Sequence, residues 1–177
     1  MKYLLALALT FALTHTALAD PAADAASCQK SAGSYLAGKV VKAPTFAHGH
    51  PQKGVELSHT HITLQGDDGK RYDVAMDNVF ANGYRKNVSA VPDPLNTIKL
   101  GDRLELCGQK YTDGTSGIHW VHTNCGAKPT AQKPDGWVRK VAADGVYRID
   151  TLEAVRWMQL ANGITVTSTR SVWLAAP

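Results

Sequence analysis

The chain has 177 residues, 44% hydrophobic and 19% charged, with a formal charge of +4. That length fits one ordinary domain with a real core. The positive excess is small and its Lys and Arg are scattered (Lys70-Arg71, Arg85-Lys86, Arg139-Lys140), so an anionic partner is permitted but not demanded.

Residues 1–19 read as a secretory signal peptide. Met1-Lys2 is followed by the apolar run YLLALALTFAL and the small-residue site Ala17-Leu18-Ala19, with cleavage expected after Ala19. The apolar core is shorter than the roughly 20 residues of a membrane span, and no later segment is apolar enough for one. The expected location is the periplasm or the medium outside a bacterial cell. The leader holds one of the 19 Lys+Arg and none of the 15 Asp+Glu, so the mature chain carries +3.

Residues 20–32 are small, polar and alanine-rich; the sequence predicts a flexible leader or a short helix. A first strand holds Tyr35, Val40 and Val41 and is predicted to stop at Pro44. LSHTHITLQ alternates, GDDG is a turn and KRYDVAM is a partner strand, so residues 57–77 are predicted as a β-hairpin. Residues 77–97 do not alternate and leave room for a short inserted helix before Pro92. KLGDRLELCGQKY and GIHWVHTN are predicted as a second hairpin. GWVRKV and GVYRID follow as short strands around the turn Ala143-Asp144-Gly145. Beyond them, Asp150 and Glu153 suggest a capped helix ending at Asn162-Gly163, then a last strand.

The order predicts a mainly β fold: a small OB-like barrel over residues 33–149 with a short inserted helix, and a helix–strand extension over 150–177 packed on it. A monomer is expected. In an oxidising compartment the three cysteines imply one disulfide and one spare thiol. Cys107–Cys125 is the favoured pair, although a hairpin centred near Gly114 offsets the two by about four residues and the strand ends must bend to join them. Cys28 can pair with either.

The stretch from about Gly38 to Tyr147 resembles an exported bacterial family known only as domain of unknown function 3465. The resemblance rests on HTHITL from His59, on Gly101-Asp102 leading LELCGQKY, on Asp135-Gly136-Trp137, and above all on GIHWVH, where the family hallmark is Gly-x-Ile-His-Trp-Thr-His. It covers about 110 of the 177 residues. Asn124 stands about where the family has an aspartate. The resemblance implies export and a shared fold; it brings no known activity.

Six histidines lie beyond the cleavage point. His59 and His61 share a strand face, whereas His119 and His122 face oppositely unless the strand is interrupted. GIHWVHTNC is predicted as the second arm of a barrel hairpin, with Trp120 in the core and His119 and His122 near a polar groove with His59. The ligand-binding candidates are His59, His119, His122, Tyr111, Trp120, Trp137 and Asn124, with Tyr84 as a further aromatic. Aromatic faces on OB barrels stack bases or sugars, so the expected function is non-catalytic binding of an anionic oligomer or an envelope partner: an oligonucleotide, a glycan or an envelope protein. The alternative is a nuclease-like hydrolase using zinc or another divalent transition metal on His59, His61, His119 and His122, since three imidazoles and a water form a catalytic zinc site. Asp73, Asp77 and Asp102 are the carboxylates available to orient or accept protons. A third option is a structural envelope protein whose aromatics are all buried.

Overall fold

The computed structural model describes residues 18–52, 54–111 and 116–145, and the strand at 147–150. Most of the leader, the tip near Gly114 and the extension after Asp150 lie outside the described residues.

Chain order runs α1 (Pro21–Lys30), β1 (Ser34–Ala47), β2 (Pro51–Gln52), β3 (Val55–Glu56), β4 (His59–Gly66), β5 (Arg71–Asp77), β6 (Arg103–Lys110), β7 (Gly117–His119), β8 (Trp137–Val141) and β9 (Tyr147–Asp150). The main sheet closes: β1 pairs with β4, β4 with β5, β5 with β7, β7 with β6 and β6 with β1. Only β5–β7 is parallel in this ring. The fold is a small OB-like barrel of five strands, mainly β, with the β8–β9 hairpin continuing beyond β6.

Closure depends on β1 serving two partners. Its first half, Ser34 to Lys39, pairs with β6, and from Gly38 onward it pairs with β4. At Gly38 a Cβ would collide with the Gln65 carbonyl and sit 2.8 Å from Gly66 Cα; a side chain there would hold the two strands apart. The strand does not stop at Pro44 as predicted. Its register shifts between Lys42 and Thr45, so the missing Pro44 N–H falls in a bulge that needs no ladder donor.

The hairpin at 57–77 forms as predicted, with His59 opposite Asp77 and Thr63 opposite Asp73. Burial alternates along β4, and Thr60, Ile62 and Leu64 turn inward. With Val40, Val74, Met76, Leu104, Leu106 and Ile118 they form one core. In place of the inserted helix, residues 78–97 carry two single 3-10 turns, Asn78–Phe80 and Leu95–Thr97. Asn78 anchors the first: Thr60 Oγ1 donates to its Oδ1 at 2.5 Å and its Nδ2 donates to Ser58 Oγ at 3.2 Å.

Of residues 20–32, predicted as a flexible leader or a short helix, Pro21–Lys30 form α1. The Asp20 side chain accepts from the amides of Ala22 and Ala23, and Pro21 starts the helix. The helix is fastened by a Cys28–Cys107 disulfide, which corrects the favoured Cys107–Cys125 pair. Cys107 sits within β6 opposite Tyr35 and Trp137, facing the helix. Cys125 lies in the loop after β7 with a free thiol. Around the disulfide, Trp137, Tyr35 and the cysteines make a second small core, and Arg139 both pairs with Asp24 and covers the Trp137 ring. Among the described residues, no helix is long and apolar enough to cross a membrane.

Candidate functional site

The predicted arm GIHWVHTN is a strand for only three residues. β7 ends at His119, and Trp120 takes a φ of 53°, a left-handed value that leaves the sheet. β8 resumes on the same edge of β6: Gln109 faces His119, and Cys107 faces Trp137. Residues 120–136 are thus an excursion inserted into one barrel strand. Gly136 closes its neck. Its amide donates to the His122 carbonyl at 2.8 Å, and a Cβ there would strike the carbonyls of Trp120 and Cys107. Glycine is required at that position because three backbones meet.

The break reverses the predicted roles of the motif. His122 is the buried residue, 2% exposed, while Trp120 and His119 stay half-buried. His122 stacks on Phe80 at 3.8 Å between ring centroids and lies 4.7 Å from Trp120. Its Nε2 meets Asp77 Oδ2 at 2.8 Å, and its Nδ1 donates to the Thr123 carbonyl at 2.8 Å. Both nitrogens therefore face oxygen acceptors, an arrangement that the imidazolium satisfies. The other Asp77 oxygen holds His59 Nε2 at 2.7 Å. Burial pushes the Asp77 carboxyl up, but the hydrogen bonds from His122 and His59 outweigh it and hold the group well below the usual carboxylate range.

A second couple stands one pleat along. His61 Nδ1 donates to both oxygens of Asp73, at 3.0 and 3.1 Å. The Tyr111 hydroxyl reaches the same carboxylate at 3.4 Å, and its ring packs edge-on against His119 at 5.0 Å. His59 and His61 lie 6.0 Å apart. The contacts run from Trp120 through His122, Asp77, His59, His61, Asp73 and Tyr111 to His119, which is bonded to Trp120 in sequence. They close a ring. Ala75 faces outward between Asp73 and Asp77, opposite His61; it is only 5% exposed because the ring surrounds it. The result is a patch of polar and aromatic groups around one alanine.

Of the predicted binding residues, His59, His119, His122, Tyr111 and Trp120 belong to this ring. Trp137 does not: it is buried in the disulfide cluster with Cys28 and Cys107. Tyr84 is buried in the main core. Asn124, 9% exposed, sits in the excursion, its backbone amide donating to Asp135 at 3.0 Å. Two buried donors, Trp120 Nε1 and Asn124 Nδ2, have no hydrogen-bond partner among the described residues. The four histidines of the metal set are not gathered on one point; each of His59, His61 and His122 is engaged by a carboxylate, and no group of three or more His, Cys, Asp or Glu among the described residues is placed to hold a metal ion. Asp102 is remote in role, pairing with Lys140 at 2.6 Å. Phe80 and Ala75 had no signal of their own. Asp77 did: a hairpin turning at GDDG puts it opposite His59.

The site makes folding depend on pH in a stated direction. The hydrogen bond that His59 donates to Asp77 raises the His59 pKa above its ordinary 6.5, with burial opposing. A group raised on folding stabilises fully below its unfolded value and gives that up as pH rises through the folded one. The urea midpoint is therefore expected to fall as pH climbs from 6 to 9, and His59→Gln should flatten that slope. An unchanged slope in the variant would show that His59 is not the titrating group. No family model and no curated protein matches the chain.

Proposed function

We propose that this barrel is an exported binding module and that the ring around Ala75 takes an anionic oligomer, single-stranded nucleic acid first among the candidates. The observation that carries this reading is the ring itself. His59 and His61 on β4, Asp73 and Asp77 on β5 and His119 on β7 share the outward face, with Tyr111 and Trp120 beside them and His122 buried behind Asp77, the kind of sheet face OB barrels use for oligomers. Both carboxylates in the ring are occupied by histidines, so they do not repel an anion as free acids would. Export after Ala19 into an oxidising compartment belongs to the same reading and is supported by the Cys28–Cys107 disulfide. So does membership of the family with the GIHW-x-H hallmark, whose residues here build the β7 break.

The test is fluorescence anisotropy with labelled oligo-dT and oligo-U, with an anionic glycan as competitor. Saturable binding that weakens with salt is expected. Tyr111→Ala should cost about 1–3 kcal/mol, the worth of one stacked base, and Ala75→Leu, on the outward face of β5, should obstruct the ring while leaving the core intact. Binding that ignores both substitutions would place the ligand elsewhere; no binding of any anionic oligomer would remove the reading.

A further inference from the structure

The ring holds two imidazoles in fixed and complementary orientations. Asp77 takes His59 by Nε2 and Asp73 takes His61 by Nδ1. The nitrogens not used are Nδ1 of His59 and Nε2 of His61. Both side chains are partly open, 31% and 35% exposed, on neighbouring outward positions of one strand. A carboxylate that fixes the tautomer of a histidine and stabilises its protonated form is what a proton-transferring imidazole needs. Two such couples 6.0 Å apart supply one acid and one base to a single small group.

We infer that this pair of couples cleaves single-stranded RNA by transphosphorylation, with His61 as general base and His59 as general acid. The inference rests on the binding reading above. Two imidazoles move protons but bring no nucleophile, so the substrate they suit carries its own; the ribose 2′-hydroxyl beside each phosphodiester is one, already held next to phosphorus. His61 Nε2 takes the 2′-hydroxyl proton as the 2′-oxygen attacks. The 2′-O–P bond forms and the P–O5′ bond breaks, its electron pair going to O5′. O5′ takes the proton from His59 Nδ1. The products are a 2′,3′-cyclic phosphate and a 5′-hydroxyl, and the two histidines end with their protonation exchanged, reset through solvent. The raised His59 pKa suits its role as the protonated partner. His122 is a positioning residue: it holds Asp77 from the buried side. The ionisable groups facing the pair are Asp77, Asp73, His122, Tyr111 and His119.

The experiment incubates the full chain with oligo-U and with oligo-dT in EDTA. Cleavage of oligo-U to cyclic-phosphate ends is expected, with a bell-shaped dependence on pH, while oligo-dT is bound and left whole. His61→Gln and His59→Gln should each lower the cleavage rate about 10²–10⁴-fold, far more than either weakens oligo-dT binding. Oligo-U bound but intact at every pH would overturn the inference and leave the binding reading standing. Cleavage equal in wild type and both variants would overturn it as well, since the activity would not be this chain's ring. Failure to bind either oligomer would remove both readings.

Discussion

Replacing Asp77 with alanine is expected to cost about 3–5 kcal/mol of folding free energy, measured by urea unfolding at pH 6.5. The loss comes less from the missing hydrogen bonds than from what stays behind. His122 is 2% exposed, sandwiched between Phe80 and Trp120, with Nδ1 committed to the Thr123 carbonyl. Without Asp77 the buried Nε2 loses the carboxylate oxygen that faces it and is left unsatisfied. Asp77→Asn keeps the shape and should cost less. Asp77→Leu combined with His122→Leu should cost less than the sum of the two singles, because no half of the pair is stranded. A loss below about 1 kcal/mol for Asp77→Ala would mean that the carboxylate only decorates the surface.

The second large effect concerns the disulfide. Cys28 and Cys107 are 79 residues apart, and closing a loop of that length removes about 4 kcal/mol of unfolded-state entropy in the chain model. The double variant Cys28→Ala, Cys107→Ala is therefore expected to lose about that much in denaturant unfolding. Removing both avoids leaving a thiol to pair with the free Cys125. The barrel itself should persist, since its ring of strands does not pass through the disulfide. What loosens is α1, left with the Arg139–Asp24 ion pair and its packing on Tyr35 and Trp137. A change below about 1 kcal/mol would show that the unfolded chain is already restricted in the same way.

The barrel was readable because its signals are local. Alternation along HTHITLQ, the GDDG turn and the glycine in mid-β1 each state a strand, a reversal and a bend in a few residues. The same hairpin arithmetic that pairs those strands sets His59 opposite Asp77, so half of the site was open to the sequence. The other half was not. Nothing in GIHWVHTNC announces that Trp120 turns left-handed; tryptophan has no preference for that conformation, and the turn is imposed by Gly136 and the backbones it lets meet. Read as a continuous strand, the motif turns Trp120 and His122 to one face and His119 to the other. Broken, it buries His122 and leaves Trp120 at the rim. Cys28–Cys107 was hidden for a related reason: pairing depends on where α1 lies against β6, a tertiary fact with no local marker. Pro44 misled because a proline normally ends an inner strand, and only the bulge beside it removes the need for its N–H.

The central claim is that the ring around Ala75 is the surface that meets ligand. Its most direct test follows the imidazole resonances in a two-dimensional NMR titration of the wild-type protein with oligo-dT, which stays intact on either reading of the chemistry. The resonances of His59, His61 and His119 should shift together and saturate at one ligand concentration, while those of His48 and His50, in the β1–β4 connection, stay in place. Saturable binding with the ring histidines unmoved, or with His48 and His50 moving instead, would contradict the account.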